Sequence, residues 1–158
     1  MIVVGVDPGK SFGVVVLRDT RIILVSQGTA ERGLAVINFA MHSREDVREP
    51  IVVACESFVV TPRGGRRTGI ADTSELVGAV KQLVSQQENV TLYMQSSSDA
   101  KHSFPNKLLR QLYFYVTPSM VFQADADDAN SAMRHALLCL ANHHATVFET
   151  LVNGSRSI

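Results

Sequence analysis

Residues 2–26, IVVGVDPGKSFGVVVLRDTRIILVS, decide the fold. Three apolar runs rich in β-branched residues are separated by Asp7-Pro8-Gly9 and by Asp19-Thr20, residue types that favour turns. Alternation of this kind, with short polar breaks, is typical of strands joined by tight connections. The segment therefore predicts three consecutive antiparallel strands, at Ile2 to Val6, Phe12 to Arg18 and Arg21 to Ser26.

After residue 26 the apolar pattern switches between helical spacing and continuous runs. The stripe of Leu34, Ile37 and Met41 predicts a helix, and the unbroken run Ile51 to Cys55 predicts a strand covered on both faces. The remaining predicted elements are a helix around Leu76 to Val84, a strand at Val90 to Met94, a helix at Pro105 to Tyr113 and a long helix from about Ala126 to Ala145.

This order predicts an α/β fold with a mixed five-stranded sheet, in which three antiparallel strands are followed by parallel ones. Helices are expected on both faces of the sheet. We expect a single domain over residues 1–150 and a frayed tail over residues 151–158.

Composition narrows the class of protein. The 158 residues carry no net charge, with 46% hydrophobic and 19% charged residues, which excludes intrinsic disorder. The apolar runs are far shorter than the roughly 20 residues that span a bilayer, and no basic leader precedes the first strand. Cys55 and Cys139 sit in apolar surroundings and are interpreted as buried thiols of a cytoplasmic protein.

Acidic residues mark the candidate site. Asp7 and Glu56 each follow an apolar strand directly. If those strands are parallel neighbours, their ends lie about 4.8 Å apart, and two carboxylates there repel unless a cation joins them. Asp125 and Asp128 are three residues apart and are predicted to share one face of the last helix. Oxygen ligands of this kind suit Mg²⁺ or Mn²⁺.

Each acid also has a simpler interpretation. Asp125 is a good helix cap, and Asp7 is a common turn residue before Pro-Gly. The combination of two strand-end acids with an acid pair opening a helix favours a two-metal site. Metal ions in that pocket would neutralise five acids, which are Asp7, Glu56, Asp125, Asp127 and Asp128. The rest of the chain then has five more basic than acidic residues, which suits nucleic acid as a partner.

Three segments resemble a known family. Gly5-Val-Asp7-Pro-Gly9, followed by Gly13-Val-Val-Val, is similar to the first strand of RuvC-type Holliday-junction resolvases. Val52 to Glu56 resembles the strand that ends in the second acid of that family, and Gln123 to Ala129 resembles its closing motif of two acids three apart. The likeness covers nearly the whole chain and implies an RNase H-like fold. Such proteins also occur in bacteriophages, and this divergent sequence is compatible with that origin.

The resemblance implies a function and a site. The four metal-binding acids of the family fall on Asp7, Glu56, Asp125 and Asp128. The family acts as a homodimer that cuts opposed strands of four-way DNA junctions with Mg²⁺ or Mn²⁺. One ion activates a water and the other stabilises the leaving 3′ oxygen, so the expected products are a 5′ phosphate and a 3′ hydroxyl. Asp127 has no counterpart among the four acids.

The basic residues differ in part from the family pattern. A lysine is common just after the fifth strand, where this chain has Gln95 and three serines; Lys101 is a candidate substitute, and a second basic position is kept as Lys107. The predicted DNA contacts are therefore Arg63, Arg66, Arg67, Lys101, Lys107 and Phe58.

Several of these residues have two interpretations. The loop with Arg63, Arg66 and Arg67 either contacts phosphates or is simply solvated. Phe58 either stacks on bases or packs under that loop. His135, seven residues after Asp128, lies either near the metals or in the core. Two alternative functions are also open: an RNase H-like nuclease with broader substrates, such as forks, flaps or hybrids, and a junction-binding protein without catalysis.

Overall fold

The computed structural model describes residues 1–9, 11–19, 21–43, 46, 48–57 and 70–155, with the side chains of 70–72 and 155 left aside. The strands are β1 (Ile2–Pro8), β2 (Phe12–Arg18), β3 (Arg21–Gly28), β4 (Ile51–Glu56) and β5 (Val90–Gln95). The helices are α1 (Ala30–His42), α2 (Ile70–Ser85), α3 (Ser97–Ser103), α4 (Asn106–Gln111), α5 (Pro118–Val121), α6 (Asp127–His143) and α7 (Ala145–Ser155).

The strands form one mixed sheet in the order β3-β2-β1-β4-β5. β1 and β2 are antiparallel, as are β2 and β3, so the predicted three-strand meander is confirmed. β4 and β5 join on the other side of β1, and both pairings are parallel. β1 is therefore the central strand, with β2 and β3 on one side and β4 and β5 on the other.

Alternate residues of each strand pack against different helices, as the two-residue period of a strand requires. Ile2, Val4 and Val6 of β1 belong to a core shared with α1 and α2. Val3, which lies between Ile2 and Val4, belongs to the core on the other face of the sheet, where α6 packs. Helices thus cover both faces of the sheet, as predicted, and the odd-numbered residues of β1 face α6.

The second half of the chain is more helical than its sequence pattern predicts. Residues 97–103 form α3, which the serine-rich composition gives no reason to expect. The long predicted helix ends at His143, and α7 follows directly. The frayed tail expected from residue 151 is wrong as far as Ser155, because α7 continues there and Leu151 is buried in the core under α6.

Cys55 and Cys139 are free and buried, as predicted. Within the described part of the chain, no helix combines the length and the apolar character that crossing a bilayer demands.

Candidate active site

The C-terminal ends of β1 and β4 bring Asp7 and Glu56 together. The two strands are parallel with Val6 opposite Cys55, so the next residues on each strand, Asp7 and Glu56, meet at the same edge of the sheet. Both acids lie on the face of the sheet that packs against α6, the same face as Val3 on β1 and Ala54 on β4. The predicted neighbourhood of these two strand ends is confirmed.

Two glycines let α6 lie directly on the sheet. A β-carbon at Gly5 would overlap the backbone carbonyl of Ala132, and one at Gly13 would overlap the backbone carbonyl of Asp128. Gly13 is also the residue paired with Asp7 across the β1–β2 ladder. The close approach at Gly13 therefore places the start of α6, with Asp128, beside Asp7.

Gly9 shows how closely these carboxylates converge. A β-carbon at Gly9 would lie 3.4 Å from Oδ1 of Asp7 and 3.6 Å from Oδ1 of Asp128. Both oxygens thus border the small space above one backbone turn. Asp7 and Asp128, 121 positions apart in the sequence, form one acidic pocket with Glu56.

The pocket makes Asp7 a weak acid. Burial raises the pKa of Asp7, the charge of Glu56 raises it further, and Asp128 adds to the effect. A hydrogen bond from the Ser131 hydroxyl and the charge of Lys101 oppose the shift, but the pKa still reaches about 7. Near neutral pH, Asp7 is therefore divided between its protonated and ionised forms unless a cation takes the place of the proton.

Glu56 has the opposite balance. Burial raises the pKa of its carboxyl, but hydrogen bonds from His135 and Ser97 and the nearby charge of Lys101 lower it below its ordinary value. The His135 ring lies 3.3 Å from Oε2 of Glu56 through Nε2. Glu56 is thus held ionised by three different neighbours.

Asp128 and Asp125 are not on one helix face, and that prediction is wrong. α6 begins at Asp127, so Asp125 lies outside the helix and is exposed. Its Oδ1 accepts hydrogen bonds from Gln27 Nε2 at 3.0 Å and from the Asp127 N–H at 3.3 Å. Burial raises the pKa of Asp128, with contributions from Asp125, Asp127 and Glu56 against a bond from Ser11. The charge of Asp125 therefore reaches the pocket, and its role as a metal ligand stays a prediction.

Gln27 of β3 is a site residue that sequence reasoning missed. It is buried, and its amide oxygen accepts from the Ala129 N–H at 3.0 Å while its nitrogen donates to Asp125. It thereby anchors the first turn of α6. Its partners lie about a hundred positions away, so local pattern gave no signal. Ser131 could have been found, because it is three residues after Asp128 on the same helix face.

The predicted DNA contacts divide into described and undescribed residues. Lys101, exposed on α3, is close enough to lower the pKa values of both Asp7 and Glu56. Lys107 is exposed in the first turn of α4, next to Asn106, which accepts a hydrogen bond from the buried Arg134. The remaining predicted contacts, Phe58, Arg63, Arg66 and Arg67, lie outside the described residues.

The donor set suits a hard divalent cation. Among the described residues, no group of three or more His, Cys, Asp or Glu side chains forms a ready-made metal cage. The three converging acids nevertheless supply only oxygen ligands, and burial together with the repulsion from Glu56 and Asp128 raises the pKa of Asp7 to about 7. A bound Mg²⁺ or Mn²⁺ would remove that repulsion, and such ions commonly keep waters alongside a few carboxylates.

The sheet order, the parallel addition of β4 and β5, and helices on both faces define an α/β protein of RuvC-like, RNase H-like fold. Two similar solved structures are RuvC proteins of Thermus thermophilus. One is RuvC in complex with a Holliday junction substrate, with 17% sequence identity, a TM-score of 0.58, and coverage of 94% of this chain and 97% of that one. The other is a Thermus thermophilus RuvC structure with 15% identity, a TM-score of 0.58, and coverage of 93% and 98%.

No protein-family model and no curated protein matches the sequence. Because the sequence identities are only 17% and 15%, the structural similarity establishes the fold alone, over nearly the whole chain.

Proposed function

We propose that this protein is a divalent-metal-dependent DNA endonuclease that cleaves Holliday junctions by paired, symmetric nicks. The observation that carries the proposal is the convergence of Asp7, Glu56 and Asp128 at one edge of a RuvC-like sheet. An anionic pocket would repel phosphate, so its use on DNA requires cations between the acids and the backbone. The RuvC neighbour solved with a junction substrate supports branched DNA as the ligand.

Asp7, Glu56, Asp128 and Asp125 are the residues that would hold the two divalent ions of the proposed site. When bound, Mg²⁺ or Mn²⁺ supplies an activated water and neutralises the leaving 3′ oxygen, which gives a 5′ phosphate and a 3′ hydroxyl. Asp7 must release its proton before it can take part, because its pKa lies near 7. Glu56 is already ionised, and Ser131 orients Asp7 by donating to its carboxylate.

Lys101 is proposed to contact phosphate near the pocket, in the role that the family gives to a lysine after β5. Gln95, which stands near that position, is buried and faces α6. It is therefore not available to the DNA backbone. We propose the cytoplasm of a bacterium or of a phage-infected cell as the place of action, in keeping with the two buried free thiols.

The test uses four-way, three-way and linear DNAs built from the same strands, with Mg²⁺, with Mn²⁺ and with a chelator. We expect metal-dependent nicks at opposed positions of the four-way junction and little cutting of the linear duplex. Equal cutting of all three DNAs would favour a nuclease with broader substrates. Junction binding without any cutting would favour a binding protein.

The matched control is Asp7→Asn. We expect it to bind the junction and to remain folded while cleavage falls roughly a thousandfold or more, since loss of the bridging charge costs several kcal/mol of transition-state stabilisation. Nicking by the purified variant at a rate near that of the wild type would contradict the two-metal assignment.

A further inference from the structure

His135 lies at the meeting point of α6, β4 and β5. Its side chain is fully buried, and each ring nitrogen has one polar neighbour. Nε2 lies 3.3 Å from Oε2 of Glu56, and Nδ1 lies 3.0 Å from the side-chain amide of Gln95. A neutral imidazole donates from one nitrogen and accepts at the other, so the neighbours of Nδ1 decide what Nε2 can do.

The backbone of α6 decides the orientation of the Gln95 amide. The amide nitrogen has the His135 carbonyl oxygen as an acceptor at 3.0 Å, and the amide oxygen has the Cys139 N–H as a donor at 3.1 Å. The opposite orientation would set oxygen against oxygen and N–H against N–H. Since the helix backbone cannot exchange its donors and acceptors, the Gln95 nitrogen also faces Nδ1 of His135, at 3.0 Å.

We infer that Gln95 locks His135 in the tautomer with its proton on Nε2, and that His135 is a positioning residue for Glu56. With the Gln95 N–H donating to Nδ1, the ring proton is on Nε2 and points at Oε2 of Glu56. The chain of bonds runs from the α6 backbone through Gln95 and His135 to the carboxylate. These bonds hold the Glu56 carboxylate, at the end of β4, in a fixed position relative to α6.

This lock leaves Glu56 free to bind a cation. A carboxylate accepts about four hydrogen bonds, and here His135 and Ser97 take only part of that capacity. His135 donates a proton and has no free lone pair toward the pocket, so it does not compete as a metal ligand. Partners of this kind typically change metal affinity by roughly 10- to 100-fold when they are removed. The role toward metal rests on the proposed function, whereas the tautomer does not.

The first measurement is the ¹⁵N spectrum of the histidine rings in the wild-type protein at about pH 8, where free histidine is neutral. We expect His135 to show a protonated Nε2 and an unprotonated Nδ1. Replacement of Gln95 by Met should release the lock and give a mixture of tautomers. A proton on Nδ1, alone or together with one on Nε2, would overturn the inference.

The second measurement is Mn²⁺ affinity by calorimetry, which needs no cleavage. His135→Met fills the space without a donor and is expected to weaken binding roughly 10- to 100-fold. His135→Gln can place an N–H near the position of Nε2 and should restore most of the affinity. Leu137→Met, also fully buried on α6, is the packing control and should bind as the wild type does.

The outcomes separate the two proposals. Unchanged Mn²⁺ affinity in His135→Met, or no Mn²⁺ binding by the wild type, would overturn the positioning role. If His135→Met does not fold, Gln95→Met carries the same test through its tautomer spectrum and its expected loss of affinity. If the tautomer and the Mn²⁺ affinities are as expected but the protein cuts no junction, this inference stands and the proposed function is refuted.

Discussion

Asp7 and Glu56 are neighbours in space, yet their surroundings shift their pKa values in opposite directions. Glu56 has hydrogen-bond donors and a cation beside it, which favour the charged form. Burial and the charges of Glu56 and Asp128 disfavour the ionised form of Asp7, and the Ser131 hydrogen bond and the charge of Lys101 do not offset them. One pocket therefore holds an acid with a lowered pKa, Glu56, beside one that exchanges its proton near neutrality, Asp7.

Without metal, Asp7 should make the folded state less stable as pH rises. Its pKa is about 7 when folded against an ordinary 3.8, so the folded state holds the proton more tightly and loses this advantage between those two values. From about pH 5 to about pH 8, with chelator, urea unfolding should show a loss of about 2–3 kcal/mol that Asp7→Asn lacks. Identical pH profiles for the two proteins would contradict the raised pKa.

At this scale the sequence predicts only part of the site. Asp7 and Glu56 could be placed because each directly follows an apolar strand. The sequence leaves His135 either near the site or in the core, and it is both, because it is fully buried on α6 and lies beside Glu56. Gln95 and Gln27 could not be assigned, since their roles depend on backbone groups of a helix that lies distant in the sequence.

Among the elements, α6 contributes most to the pocket. It carries Asp128, Ser131 and His135 along one face, at intervals of three and four residues. Its contact with β1 and β2 is backbone against backbone at Gly5 and Gly13, so the helix cannot shift without moving all three side chains. Sequence spacing predicts this helix well, but it cannot predict α3, whose serines and charges have no apolar stripe.

Gly13→Ala should separate the two halves of the pocket. The new β-carbon would overlap the Asp128 carbonyl, and since backbone cannot yield as a flexible side chain can, α6 must move away from Asp7. We expect about 1–3 kcal/mol lower stability in urea and at least about a tenfold loss of cleavage.

Gly78→Ala is the matched control for that experiment. Gly78 lies within α2, and nothing lies within 4 Å of the β-carbon that the substitution adds. It should raise stability by about 0.5–1 kcal/mol and leave cleavage unchanged. A Gly13→Ala protein as stable and active as the wild type would show that α6 has room to adjust.

The segment between β4 and α2 gives a prediction from sequence alone. Joint replacement of Arg63, Arg66 and Arg67 by Ala should weaken junction binding, and each lost phosphate contact should reduce the log–log salt slope by about 0.9. Arg32→Ala, which removes one exposed charge from α1, should leave the slope unchanged. An unchanged slope in the triple variant would mean that these arginines are only solvated.

At the scale of the whole molecule, the sheet separates two cores of different use. The core with α1 and α2 supports the fold, and the core with α6 supports the pocket. The antiparallel arrangement of β1, β2 and β3 could be predicted from the turn residues between them, whereas the pairing of β1 with β4 entered only as a condition for bringing Asp7 and Glu56 together. The number of helices after β5 could not, because α3 has no apolar stripe and α5 has only four residues, whereas α4 lies within the helix predicted at Pro105 to Tyr113.

We expect the active form to be a homodimer with twofold symmetry, since two opposed cuts require two pockets. The sequence offers two apolar stripes for such an interface, at Leu76 to Val84 and at Leu108 to Tyr113. The second is largely used within the chain, because Leu109 and Leu112 are buried. Val80 and Val84 of the other stripe are buried as well, but Leu83 borders an open groove between α1 and α2 that also includes Leu34. The α1–α2 face is therefore the expected interface.

Sedimentation at micromolar concentration and cleavage of a supercoiled cruciform plasmid test this assembly. We expect a dimer and paired cuts that linearise the plasmid. Phe39→Glu, at a 63% exposed position of α1, should give monomers and singly nicked circles. Ile23→Glu, at a 52% exposed position of β3, should not. A wild-type monomer at every concentration, with only nicked circles, would move the proposed function towards a nicking nuclease.

The residues of the pocket are synthesised at different times. Asp7 and Glu56 leave the ribosome early, whereas Asp128, Ser131 and His135 emerge only with α6. Until α6 covers the sheet at Gly5 and Gly13, the acids of β1 and β4 have neither their third partner nor their hydrogen-bond donors. An unfinished chain therefore lacks the assembled pocket on which the proposed cleavage depends.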